Sequence, residues 1–327
     1  MNRIVIARTD SIGDVMLTIP MAGILKAKYP ETELIFIGKS YTEAVIKCCK
    51  NVDQFMNWDI LEKDPHAVQE LKLLNADLIV FSLPNIKLAK LAWQANIKNR
   101  VGVSRRWFHW VFCNDRPQFS RRKSDLHEAQ LNIKLLEKWI PSTNFTLEEI
   151  ASSYGFSPTI PLPERFSNLL KKDSLNIILH PKSQGSAREW GVKNFQQFAN
   201  LAVEKGVKIF VTGTESEGQQ IRKDFRFSDS IIDLTGKMNL HELIAFINAT
   251  NGLVAASTGP LHLSAVLGKI AIGLYSTLRP IHPGRWAPLG PKAKAITYEG
   301  PIDSNLKIKD DTTLELIPPD RVLREFF

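Results

Sequence analysis

The sequence predicts an α/β protein built from two Rossmann-like domains in succession. Short β-branched runs alternate with longer amphipathic ones, the pattern of βαβ units and parallel sheets. The alternation breaks in a turn-rich stretch, where Pro141, Ser142 and Thr143 lead through 152–155 to Pro158, Pro161 and Pro163, and then restarts. The 327 residues suffice for two domains of about 150 residues each. The expected division is 1–160 and 161–327.

Each half is justified element by element. In the first, strand runs lie at 3–7, 33–37 and 77–82, with a shorter one at 100–103. Helical periodicity fills 14–28, 41–50, 66–75 and 86–95. A further helix over 126–139 has Leu126, Ala129, Ile133, Leu136 and Ile140 on one face. In the second half the strands are 176–179, 207–211, 252–256 and 270–274, and the helices 195–204, 240–248 and 261–267.

Composition narrows the class. With 44% hydrophobic and 23% charged residues the chain has a globular balance, which excludes wholesale disorder. No apolar run approaches the ~18–20 residues that span a bilayer, and the amino terminus enters strand RIVIAR without a signal-peptide pattern. Cys48, Cys49 and Cys113 make a poor disulfide framework, so a cytoplasmic location is expected. Net charge is +8, and residues 98–123 hold eight bases against one acid, Asp115, which is +7 of it. Charge so concentrated marks a patch for an anionic partner. No nucleic-acid motif accompanies it, and nucleic acid is not expected as a partner.

Three motifs sit where parallel strands end and helices begin, the place where α/β proteins hold ligands. In ARTDSIGDVMLTIP (7–20), Asp14 falls at a helix start, either as a cap or as a carboxylate base. In LHPKSQGSAREWG (179–191), Ser183, Gly185 and Ser186 lie in a small-residue loop that lets backbone N–H groups approach an anion. Arg188 adds a fixed charge there, or serves in a surface ion pair. In VAASTGPLHLSAVLG (254–268), Ser257, Thr258 and Gly259 open a helix with His262 one turn in, suited to phosphate or to plain capping and core packing. Glu217 in VTGTESE is a ribose acceptor or a helix-start acid, and Met238 in LTGKMNL packs on a base or in the core. There is no Walker loop, HExxH, paired CxxC, GxSxG or DxD motif, so no metal and no resident cofactor are expected.

In their order these motifs resemble the heptosyltransferases of glycosyltransferase family 9. The resemblance runs from RTDSIGDVMLTIP through LHPKSQGSAREWG, GTESE and LTGKMNL to STGPLHLSAVLG, most of the chain. It implies the GT-B architecture, with two Rossmann-like domains facing across a cleft: 1–160 for the acceptor and 161–327 for the nucleotide-sugar donor. It implies inverting, metal-independent transfer of a heptose-like sugar from a nucleotide diphosphate, ADP-linked in most members, to a lipopolysaccharide-core or other glycan acceptor. Asp14 matches the catalytic base, Arg188 a diphosphate contact, Glu217 a ribose contact and Met238 the nucleobase position. Thr258, Gly259 and His262 match the phosphate-binding helix start. Ser257 stands where the family frequently has Asp, which leaves the donor sugar and base open. A nucleotide-sugar epimerase of GT-B type and a non-catalytic nucleotide-sugar-binding protein are the alternatives. Arg105, Arg106, Arg121 and Arg122, interleaved with aromatics, are the expected contacts to an anionic glycolipid at the inner membrane face.

Overall fold

A computed structural model describes every residue except Gln184, Ser186, Ser304 and Asn305. The chain divides into two units, Met1–Ser157 and Pro158–Phe327. In the first, β1 (Arg3–Ala7), β2 (Glu33–Gly38), β3 (Gln54–Asn57), β4 (Leu78–Phe81) and β5 (Asn99–Val101) form a parallel sheet in the order β3-β2-β1-β4-β5. Ile4, Val5 and Ile6 are fully buried, as a strand covered on both faces requires. After β3 the chain crosses back over β1 to place β4, so the strand order reverses between β1 and β4.

The second unit repeats the scheme with β6 (Asn176–His180), β7 (Lys208–Val211), β8 (Ile231–Asp233), β9 (Gly252–Ala256), β10 (Ile270–Tyr275) and β11 (Ala293–Thr297). Its parallel order is β11-β10-β9-β6-β7-β8, which puts the reversal between β6 and β9. Trp190, wholly buried, anchors its core edge-on to Phe195 at 4.9 Å and donates its indole N–H to the Ile317 carbonyl at 2.9 Å.

Several expectations need correction. The helix expected over 14–28 is two, Ile12–Met16 and Pro20–Lys28, because Pro20 has no N–H to continue the first and is suited to open the second. The 126–139 helix is α-helical only at Glu128–Ile133 before tightening to a 3₁₀ turn. The edge strands β3, β8 and β11 were not expected. The turn-rich stretch holds a helix, Leu147–Ser152, opened by a reciprocal Thr146–Glu149 cap.

Candidate active site

In the first unit the chain leaves β1 at the point of strand reversal, and Arg8 follows directly. Only 4% exposed, it makes a two-pronged contact to Asp10 at 2.6 and 2.9 Å and an ion pair with Asp14 through Nη2. Glu128, itself buried, lies 3.8 Å from its other guanidinium nitrogen. Burial pulls the Arg8 pKa down, but Asp14, Asp10 and Glu128 outweigh it and hold it above its ordinary value. Burial pushes the Asp10 carboxyl up, against the pull of Arg8. The helix cap is Ser11, not Asp14: the Asp14 N–H donates weakly to Ser11 Oγ at 3.4 Å, and the hydroxyl donates to Asp14 Oδ2 at 2.6 Å. Asp14 is thus a carboxylate gripped on both oxygens, its side chain 22% exposed.

The four arginines of the basic window do not form one set. Arg121 turns inward, ion-paired with Glu128 and donating to Asn132 Oδ1 at 2.9 Å. Arg105, Arg106 and Arg122 are exposed. The cysteines are buried, and burial pushes Cys49 to about 11 and Cys113 to about 12, too high for nucleophiles at neutral pH.

In the second unit the β6 and β9 loops lie side by side at the reversal, since His180 registers with Ala255. Glu189 organises the first loop: it accepts from the Ser183 N–H at 3.1 Å and pairs with Lys182 at 2.6 Å. Ser183 spends its hydroxyl on the Ala187 carbonyl at 2.9 Å. Gly185 sits at φ +79°, where a side chain would be strained. Ser186 lies outside the described residues. Arg188, expected as an anion contact or in a surface ion pair, donates to the Ile308 carbonyl. Burial pushes the Asp311 carboxyl up, but hydrogen bonds from Ser276 and Thr313, with Arg188 nearby, hold it below its ordinary value.

The second loop opens the helix Gly259–Val266. Thr258 Oγ1 there is buried and has no hydrogen-bond partner among the described residues. Ser257 is half-buried and hydrogen-bonds Tyr275; His262 is buried. Glu217 is buried in a reciprocal cap, accepting from the Thr214 N–H at 2.7 Å and its hydroxyl at 2.9 Å through Oε2 alone. It lines a cavity of about 600 Å³ with Lys182, Gly185, Glu189, Thr214 and Gln220. That cavity joins Gly185 and Glu217 of the expected set; Arg188, Thr258 and His262 do not line it. Half-buried Met238 lies beyond β8, beside the start of the helix Leu240–Ala249.

Arg8, Asp10, Glu128, Lys182 and Glu189 were missed as functional residues, and so was His180. Arg8 and His180 carried a signal, being polar groups at the carboxyl ends of apolar strands. His180 Nδ1 lies 3.0 Å from Thr212 Oγ1. Burial holds this imidazole below its ordinary value, opposed by Glu217.

Two parallel α/β units, each with polar loops at its strand reversal, put candidate ligand sites where open α/β sheets hold them. The model of glycosyltransferase family 9 (heptosyltransferase) matches residues 66–313. This chain belongs to that family and is a glycosyltransferase. The lipopolysaccharide core heptosyltransferase OpsX of Haemophilus influenzae is 22% identical, over 84% of this chain and 79% of its own. The crystal structure of the family 9 glycosyltransferase from Veillonella parvula matches with TM-score 0.77 at 20% identity, covering 99% of this chain and 96% of that one. The ADP-heptose heptosyltransferase II of E. coli matches with TM-score 0.76 at 20% identity, covering 99% and 97%. No helix among the described residues is long and apolar enough to cross a membrane.

Proposed function

We propose that this enzyme transfers a heptose-like sugar, with inversion, from a nucleoside diphosphate to an anionic glycan acceptor of lipopolysaccharide-core type carried at the inner membrane face. The H. influenzae and E. coli proteins named above are described by lipopolysaccharide core and by ADP-heptose, and that chemistry fits the groups this chain holds. Asp14 takes the proton from the attacking acceptor hydroxyl. The departing diphosphate gathers negative charge, which the helix start at Thr258-Gly259, Arg188 and Lys182 neutralise without a metal. Gly185 brings its loop N–H to that anion, while Ser183 braces the loop through Glu189 and Ala187. Glu217, with Oε1 free of hydrogen bonds, takes the ribose. Met238 packs on the base, and Ser257 and His262 border the sugar and phosphate. Arg105, Arg106 and Arg122 meet acceptor anions, and Arg121 assists them by way of Glu128.

The observation that carries the reading is Thr258 Oγ1, a buried donor with no partner among the described residues, at a helix start beside the β6 loop. An unpaired buried hydroxyl costs about 1–3 kcal/mol, so an anion that accepts from it is favoured. Thr258→Val keeps the shape and removes the hydroxyl. It should weaken ADP binding by about tenfold while leaving stability equal or higher. Arg188→Ala should cost about ten- to a hundredfold. Calorimetric titration with ADP, UDP and GDP, paired with thermal unfolding, decides it. Unchanged affinity for all three nucleotides in both variants removes these residues from the donor site.

A further inference from the structure

Building on the reading of a membrane-borne acceptor, we propose that the helices Ile86–Gln94 and Trp107–Phe112 form a face that docks the enzyme onto an anionic lipid bilayer. Trp107, Trp110 and Val111 are three and four residues apart, so they share one helical face, and they are 71%, 58% and 57% exposed. Trp93, 47% exposed, lies on the neighbouring helix, its ring meeting Phe112 at 5.9 Å on another side of Trp107–Phe112. A contiguous cluster of exposed indoles marks an interaction site. Indoles, apolar with one polar edge, settle at the headgroup level of a bilayer.

Charge selects the occupant. From Ile86 to Lys123 there are ten bases and one acid, Asp115. That acid is buried and already paired with Lys138 at 2.7 Å, so it does not offset the surface charge. Lys90, Lys98, Arg105, Arg106, Arg122 and Lys123 are exposed and enter no ion pair among the described residues. A second copy seated on this face would oppose the same bases across a two-fold axis. A protein partner would need a core depleted of charge. An anionic leaflet supplies one sign of charge and an apolar layer for the indoles together.

Trp110 is braced, with Arg116 stacked 4.5 Å above its ring and its N–H donated to the Ser104 carbonyl at 2.8 Å. Trp107 has only an edge contact with Phe108 at 6.0 Å, so removing it leaves no gap in the core. The test is co-sedimentation of the intact protein with phosphatidylethanolamine–phosphatidylglycerol vesicles and with neutral phosphatidylcholine vesicles, at low and high salt. Binding should be confined to the anionic vesicles and fade with salt. Trp107→Ser should lower partitioning about tenfold, and Arg105→Gln with Arg106→Gln about 25-fold, at about fivefold each. ADP affinity of Trp107→Ser should stay at the wild-type value. Equal binding to both vesicle types, or variants that pellet like the wild type, would overturn the proposal. So would no vesicle binding together with a concentration-dependent dimer that Trp107→Ser abolishes. Nucleotide titration and sugar transfer to a soluble acceptor judge the transferase reading separately, so either idea can fail alone.

Discussion

Asp14 is held by two residues that precede it in sequence, Arg8 at one oxygen and Ser11 at the other. Such a grip fixes the carboxylate that we propose as the base and leaves the capping of the helix to Ser11. Asp14→Asn keeps the size and most of these hydrogen bonds. It should bind ADP as the wild type does while turnover falls about 10²–10⁴-fold. Product formation under saturating donor measures it; a folded variant with wild-type turnover would reduce Asp14 to a structural acid. Asp14 was legible because its motif ends a strand and starts a helix. Arg8 showed only as a polar group ending an apolar strand; its pairing with Glu128, far along the chain, follows no local pattern. Glu217 was half legible. The Thr214-to-Glu217 spacing is a capping box that the sequence already spells, and the proposed ribose contact would be a second use of the same carboxylate.

At the level of elements, the sheet interiors and the edge strand β5 were legible, and the other three edges were not. β1, β2, β4, β6, β7, β9 and β10 are buried, nearly continuous apolar runs. β3 and β11 are half-exposed, and β8 has three residues, so none carries enough apolar pattern to stand out. Helix packing was invisible for a similar reason: it depends on what a residue lacks. Gly23, inside the helix Pro20–Lys28, is such a case, since a Cβ there would lie 2.0 Å from the Ser153 carbonyl oxygen. Helix propensity alone favours Gly23→Ala by about 1 kcal/mol. The clash is with backbone, which cannot rotate away, and overpacking of this kind costs about 1–3 kcal/mol or more. The net effect should be a lower unfolding midpoint in urea. A midpoint equal to or above the wild type would mean that the segment around Ser153 moves aside at little cost.

Across the whole molecule, each unit holds a buried histidine whose pKa burial pulls below the ordinary value. In the first it is His109, fully buried, with Nδ1 3.0 Å from the Val103 carbonyl. That carbonyl opposes burial, while Arg106 and Arg116 add to it. A carbonyl oxygen only accepts, so Nδ1 carries the proton of the neutral ring, and the buried Nε2 has no hydrogen-bond partner. In the second it is His180, where burial outweighs the opposing field of Glu217. As pH falls below about 6.5 the unfolded imidazoles take up protons that the folded ones refuse, so the unfolded state binds more protons and gains. The stability these two histidines contribute is therefore complete above about pH 6.5 and declines as pH falls, by at most about 1.4 kcal/mol per pH unit for each. Asp10 acts in the opposite sense, because a raised carboxyl pKa favours the folded state as acid is added. Its effect enters above its ordinary value of 3.8, at the acid end of the range, and flattens the decline there. His109→Asn and His180→Asn keep an amide nitrogen near the Nδ1 position and remove the titration. Because the two residues lie in separate units, their effects should add and should appear in separate unfolding transitions. Urea unfolding followed between about pH 7 and pH 5 should show each variant with a shallower fall in the stability of its own unit and the other unit unchanged. Wild-type slopes in both variants would mean that neither imidazole resists protonation in the folded protein.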